Sequence, residues 1–330
     1  MLVLGHGDVA RLLDGQDKQV LEAVREAYLR HAEGRGALPH SVFLRFPGRP
    51  RDRIIGLPAY LDGEPGVAGI KWIASFPGNH DLGLPRASAL IVLNDTATGR
   101  PEVVLEGSIV SARRTGAGAA LAAGALPGSE PDEGVGLIGC GVINFEVLRF
   151  LLAGTGGLAR VALFDALPER VDAFAARCAA TWPELAVERA ASLEDALGRH
   201  RLVSFATTAA EPHTGLDACR AGTLVLHVSL RDLTPQAMLS SVNVVDDADH
   251  VFRERTSLHL AEQLTGGRDF VHGTIAGLLA APRRREQDRV TVVSPFGLGV
   301  LDLAVARLVV EEAVRRGAGV RVEGFSPGTP

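Results

Sequence analysis

Three features of the 330-residue sequence predict an α/β protein in which a doubly wound, Rossmann-type parallel sheet is joined to a discontinuous α+β domain. From about residue 127 to 295, short apolar runs alternate with helical patterns, which requires crossover connections and mainly parallel pairing. One of these runs passes from Val135 through Ile138 into Gly139 and Gly141 and then into a helix, as a phosphate-binding turn does. Before residue 126, extended segments follow one another between Gly, Pro and Asn, the mark of an antiparallel or mixed sheet. The expected domains are 1–126 with 296–330, and 127–295.

In chain order, residues 16–34 carry Val20, Leu21, Val24, Tyr28 and Leu29 at helical spacing and end in glycine, an amphipathic helix. Runs 42–46, 53–57, 67–73 and 87–93 read as strands, and the Asn94 to Gly99 turn leads to another at 101–106. An Ala/Gly-rich helix follows at 108–125, small enough in side chain to let another element approach closely. The Pro/Gly-rich stretch 126–134 is the expected linker. Strands are then expected at 135–139, 161–164, 186–188, 202–206, 223–228, 242–245 and 290–293. A final amphipathic helix at 299–316 is expected to return to the N-terminal domain, because its apolar stripe must be buried somewhere.

At the glycine turn, Gly139 permits the tight exit from the strand, Gly141 admits the pyrophosphate, and Val142 and Ile143 begin the helix whose N–H groups receive it. Asn144 replaces the third glycine of the G-x-G-x-x-G pattern, and an ordinary strand-to-helix turn is the alternative reading. Asp165 ends the next strand, 26 residues after Gly139, where a carboxylate binds the adenosine ribose hydroxyls. That acid would repel a 2′-phosphate, so NAD is expected over NADP; the alternative is a helix cap ahead of Pro168. Thr207, past another strand end, is a candidate for the cofactor ribose.

Composition removes other classes. With 46% hydrophobic and 22% charged residues the chain is globular rather than disordered, and a net charge of −5 leaves no basic footprint for nucleic acid or an anionic membrane. Three cysteines without C-x-x-C spacing imply neither a disulfide framework nor a zinc site, so no metal is expected and a reducing cytoplasm fits. No signal-peptide pattern or run of about 18 apolar residues is present.

The candidates for chemistry are isolated charges in apolar settings. Lys71 lies inside an apolar strand and Arg114 inside the Ala/Gly helix; a buried cation needs an anion, either a substrate carboxylate or a structural one. Arg45 and Arg86 are weaker candidates of the same kind, with a plain surface position as the alternative. Asp232 follows a strand at the expected carboxyl edge of the sheet and is the candidate for proton transfer, or else a cap before Pro235. His227 is expected to be a core or supporting histidine.

The motifs G-I-K-W around Lys71, L-N-D-x-x-T-G-x-P from Leu93, S-A-R-R-T around Arg114, the Gly139 turn, the Asp232 segment and S-P-F-G-L-G-V-L-D-L-A from Ser294 together resemble the ornithine cyclodeaminase/mu-crystallin family over nearly the whole chain. The resemblance implies a dinucleotide domain plus a substrate and dimerisation domain, a homodimer, a small amino-acid substrate, and NAD contacts at Gly139, Gly141, Val142, Ile143, Asp165, Thr207 and Ser294. It also implies that Lys71 and Arg114 hold a carboxylate and that Asp232 is the acid/base. The phrases K-W-I-A-S-F-P-G-N, L-E-G-S-I-V-S-A-R-R-T and H-V-S-L-R-D are similar to the family branch that oxidatively cleaves an N-(2-amino-2-carboxyethyl)glutamate to 2,3-diaminopropionate and 2-oxoglutarate in siderophore biosynthesis. Ile55 stands where ornithine-cyclising members carry a glutamate for the distal amine, while Arg86 and Arg231 add cations suited to several carboxylates. Ornithine cyclisation, a ketimine or alanine dehydrogenase activity, and non-catalytic ligand binding are the alternatives.

Overall fold

In the computed structural model, which describes residues 1–154 and 156–325, the chain packs as two units: Met1–Arg114 with the chain from Leu298 onward, and Thr115–Gly297. The first boundary falls inside the Ser108–Ala125 helix rather than in the loop after it. The reason lies in the small residues of that helix. A Cβ added at Gly116 would come within 2.5 Å of the Glu146 carbonyl, so the second half of the helix is pressed onto the Val142–Gly154 helix of its own unit.

Within the first unit, an eight-stranded mixed sheet among the described residues runs in the spatial order Val320–Arg321, Leu2–Leu4, Pro101–Glu106, Ala87–Asn94, Val67–Ser75, Arg49–Leu61 and Gly36–Ala37, with Val42–Phe46 also paired to Arg49–Leu61. Arg49–Leu61 is longer than the run 53–57 that sequence predicts. Pro58 is tolerated there because it lies in the gap between the pairs made by Val42–Phe46 and those made by Gly36–Ala37, where no ladder bond is required of it. The register sets Leu57, Lys71 and Ile91 opposite one another. Alternation then assigns Leu57, Ala59, Lys71, Ile73 and Ser75 to one face. The Gly299–Arg316 helix covers that face closely enough that a Cβ on Gly299 would touch Leu57 and Ala59 at 3.2–3.5 Å. On the opposite face Leu44, Trp72 and Leu90 are exposed.

Among its described residues the second unit holds an eight-stranded parallel sheet in the order Ala186–Arg189, Arg160–Phe164, Gly134–Ile138, Leu202–Phe205, Leu224–His227, Thr291–Ser294, Val242–Val245 and Val271–Thr274. Its central strands are buried throughout, which explains why they read as continuous apolar runs rather than alternating ones. Val271–Thr274 was not expected, because Val-His-Gly-Thr carries no strand pattern; its pairing with Val242–Val245 creates it. Connections depart to opposite sides of Gly134–Ile138, so the topological switch lies between that strand and Leu202–Phe205. Ligands of open α/β sheets bind at such points, outside the carboxyl ends of the strands. Among the described residues no helix is long and apolar enough to cross a membrane.

Candidate active site

The glycine turn sits at the switch point. Gly139 has φ +92°, and a Cβ there would lie 2.6 Å from the Ala206 carbonyl, so glycine is required both by backbone conformation and by the neighbouring strand. Gly141 differs, for a Cβ built on it meets nothing within 4 Å. Gly141 and Val142 are exposed at the start of the Val142–Gly154 helix, whose first N–H groups have no partners inside the helix. Asn144 fills the place of the third glycine by tying the turn down. Its amide donates to the carbonyls of Ile138 and Gly139 at 2.9 and 2.8 Å, and its oxygen accepts from the Ser204 hydroxyl at 2.7 Å.

Asp165 stands beside this turn. Its carboxylate accepts the Cys140 N–H at 2.8 Å and the Leu167 N–H at 3.1 Å, so it braces the glycine turn and also closes the turn before Pro168. Ser294 ends its strand in register with Val245, and its buried hydroxyl finds no partner among the described residues. An open cradle at Gly141, a carboxylate beside it and an orphaned hydroxyl at the strand ends are the groups that a dinucleotide's pyrophosphate, ribose and amide require. The residues fit such a ligand.

Asp232 is fully buried in the loop after Leu224–His227. The hydroxyls of Thr207 and Ser229 donate to its two oxygens, and His227 Nε2 lies 3.3 Å from Oδ2 and 3.2 Å from the Asp232 N–H. That nitrogen donates to the carboxylate when protonated and accepts the amide when not. Burial pushes the Asp232 carboxyl up, but the His227 bond and charge and the two hydroxyl bonds outweigh it and hold the group below the usual carboxylate range. The cap before Pro235 is instead Thr234, which accepts the Ala237 N–H. Leu230, between His227 and Asp232, has φ +68°, a strained setting for a branched residue that the surrounding bonds must hold. Arg231 donates twice to the Glu254 carbonyl, at 3.2 and 2.9 Å, so its guanidinium anchors a neighbouring loop. Thr207, considered above for the ribose, directs its hydroxyl to Asp232.

In the first unit the anion facing the buried cations is Asp302. Lys71 Nζ donates to Asp302 Oδ2 at 2.7 Å and to the Ser111 hydroxyl at 3.2 Å, while Arg114 Nε donates to Asp302 Oδ1 at 3.2 Å. The structural-carboxylate reading of Lys71 and Arg114 is therefore realised, yet two cations against one carboxylate leave a surplus positive charge. Burial lowers the Lys71 value from 10.5 to about 8, with Asp302 opposing the shift and Arg114 adding to it. Asp302 was not singled out from sequence, although a lone acid in Gly299-Val300-Leu301-Asp302-Leu303 is the complement of a lone Lys in an apolar strand. Arg45 is exposed beside the Phe43 ring, and Arg86 donates to the Ser75 hydroxyl at 3.0 Å.

The profile of the ornithine cyclodeaminase/mu-crystallin family matches residues 6–317. The N-((2S)-2-amino-2-carboxyethyl)-L-glutamate dehydrogenase of Staphylococcus aureus is 27% identical over 327 residues, covering 97% of each chain. The Delta(1)-pyrroline-2-carboxylate reductase of Thermococcus litoralis, solved with NADH and L-proline, superposes with a TM-score of 0.91 at 26% identity over 98% of this chain and 100% of its own. An archaeal alanine dehydrogenase dimer with bound NAD gives 0.87 at 26% identity, over 98% and 99% of the two chains.

Proposed function

The chain belongs to the ornithine cyclodeaminase/mu-crystallin family, and from that membership we propose that it cleaves N-[(2S)-2-amino-2-carboxyethyl]-L-glutamate oxidatively to L-2,3-diaminopropionate and 2-oxoglutarate. It is an NAD-dependent oxidoreductase acting on an amino acid. The observation that carries the narrower substrate is the excess of cations over carboxylates on the Lys71 face: Lys71 and Arg114 share Asp302 alone, and Arg86 meets no carboxylate among the described residues. A substrate with several carboxylates answers that excess.

Gly139, Gly141, Val142, Ile143, Asp165 and Ser294 would hold NAD, which would supply the acceptor for a hydride from the glutamate Cα. Lys71 and Arg114 bind the α-carboxylate and so fix the Cα–H; positioning of this kind supplies up to about 7–11 kcal/mol of a barrier in favourable cases. Asp232, held as the carboxylate, takes a proton from the secondary amine and releases it to solvent, then takes a proton from the water that adds to the C=N bond and passes it to the departing nitrogen. Hydrolysis releases the keto acid and the diamine. Ile55 pairs with Ile73 on the Lys71 face, which leaves an apolar wall there and no carboxylate for a distal ammonium, against ornithine cyclisation. The joint presence of Lys71, Arg114 and Asp232 counts against a purely ligand-binding role.

The exposed Leu44, Trp72 and Leu90 form an apolar face that suits a homodimer, and three free cysteines suit a reducing cytoplasm. The test is incubation of the purified protein with NAD and the synthetic adduct, beside L-ornithine and L-alanine. Stoichiometric NADH with 2-oxoglutarate and diaminopropionate supports the reading. Proline and ammonia from ornithine, or pyruvate from alanine with an inert adduct, overturns it and leaves the family chemistry in place.

A further inference from the structure

Asp232 has the place of a proton acceptor, yet its carboxylate presents no surface of its own. The side chain is 0% exposed and both oxygens are occupied: Oδ1 accepts the Thr207 hydroxyl, and Oδ2 accepts the Ser229 hydroxyl with His227 Nε2 3.3 Å away. A base acts on a proton within hydrogen-bond reach, directly or through one intervening group. A proton bound for Asp232 must therefore pass through one of these partners.

The partners are not equivalent. His227 is itself wholly buried and its Nδ1 has no partner among the described residues, so it leads nowhere. Thr207 and Ser229 are half-buried and follow neighbouring parallel strands, whose ends pair Phe205 with His227. The Thr207 oxygen already accepts the Ala209 N–H at 3.0 Å, which makes that hydroxyl a clamp between its own turn and Oδ1. The Ser229 oxygen accepts nothing among the described residues. A hydroxyl has one proton to give and two lone pairs to receive with, so Ser229, while donating to Oδ2, has an acceptor side open. Its position is fixed on both sides. The Ser229 N–H donates to the Phe205 carbonyl at 3.0 Å, and the carbonyl of the next residue, Leu230, accepts the Ser257 N–H at 2.8 Å.

We propose that Ser229 is a further catalytic residue, the hydroxyl that meets the substrate nitrogen and relays its proton to Asp232. This rests on the reading of Asp232 as the proton acceptor of an amino-acid oxidoreductase. In the first transfer the N–H bond of the substrate amine breaks as a new bond forms to Ser229 Oγ, and the original Oγ–H proton passes to Asp232 Oδ2. The serine ends as it began, the carboxylate has become a carboxylic acid, and the relay moves protons only, since the electron pair leaves with the hydride. The same path in reverse, from Oδ2 to Oγ and from Oγ to nitrogen, protonates the amine that departs when the C=N bond is hydrolysed. Hydrogen bonds set in place by the fold spare the rearrangement that solvent would otherwise undergo at the moment of reaction.

The experiment compares wild type with Ser229→Ala, Ser229→Thr, Thr207→Val and Asp232→Asn, supplied with NAD and the adduct and followed across pH and in mixtures of H2O and D2O. Ser229→Ala should lower kcat about 10²-fold at every pH, with NADH affinity and melting temperature close to wild type, and Ser229→Thr should restore most of the loss. Two protons move together in the relay, so the wild-type rate should curve with the deuterium fraction and become linear in Ser229→Ala. Thr207→Val removes a hydrogen bond to the carboxylate without breaking the relay; the acid limb of its kcat/KM profile should move to higher pH while the curvature persists. Ser229→Ala turning over like wild type while Asp232→Asn is slow overturns the relay and leaves Asp232 in place. Undiminished turnover in Asp232→Asn overturns the relay together with the reading it rests on. Loss of kcat in Ser229→Ala that comes only with weakened NADH binding and a lowered melting temperature would show a structural role and overturn the relay too. If the adduct is inert and L-ornithine or L-alanine is turned over, the substrate reading falls and the same comparison on that amino acid decides the relay.

Discussion

Lys71 Nζ lies 2.7 Å from Asp302 Oδ2, joining a strand near the start of the chain to a helix near its end, and both residues are almost wholly buried. Arg114 approaches the other oxygen of the same carboxylate. One acid thus organises two cations and leaves a net positive charge.

Replacing Asp302 with Asn should be costly, because removing one partner of a buried pair strands the other. About 3–5 kcal/mol of unfolding free energy is expected to be lost, read by urea denaturation at neutral pH. The deficit should shrink as pH rises toward the wild-type Lys71 value of about 8 and level off above it, because Asp302 holds that value up and without it Nζ sheds its proton at lower pH. A fully stable Asp302→Asn protein would show that Lys71 is already neutral or hydrated.

The depressed Lys71 value has opposite consequences for binding and for stability. As pH rises through about 8 the folded Lys71 loses the charge that a carboxylate needs, so kcat/KM for an anionic amino acid should decline there. The unfolded lysine keeps its proton up to about 10.5, so between these values the unfolded chain binds more protons and this group's contribution to stability increases with pH. A pH profile of kcat/KM set beside one of the denaturation midpoint checks both signs. Parallel declines would assign the activity change to unfolding instead.

Gly139→Ala and Gly141→Ala should separate folding from cofactor binding. Gly139 combines φ +92° with a 2.6 Å approach to the Ala206 carbonyl, so its replacement should cost more than the ~1–2 kcal/mol of a left-handed backbone alone. Gly141 has open space around its Cβ position, so Gly141→Ala should melt like wild type while weakening NADH binding about tenfold or more, at ~1.4 kcal/mol per decade. Fluorescence titration with NADH and thermal melts read the two effects. Unchanged NADH affinity in Gly141→Ala would move the pyrophosphate elsewhere.

Asp232→Asn keeps the size of the side chain and one accepting oxygen for the Thr207 or Ser229 hydroxyl but removes the proton acceptor. Turnover should fall about 10²–10⁴-fold, with NADH affinity little altered. Undiminished turnover would take Asp232 out of the mechanism.

Much of this protein is legible from sequence because much of it is local. The buried parallel strands, the Gly139 turn, the Ala/Gly helix and the long helix beginning at Gly299 each carry their own periodicity or steric requirement within a dozen or so residues. Lys71, Arg114 and Asp232 stand out for a similar reason, since a lone charge in an apolar run is anomalous wherever it folds. What those charges meet is a different matter. Asp302 is 231 residues from Lys71, the Thr207 hydroxyl is 25 from Asp232, and Arg53 comes beside Arg86 only through strand register. No periodicity encodes such pairings, because the energy that selects them is the cost of burying a charge alone, and that cost exists only once the sheets and helices have closed around it.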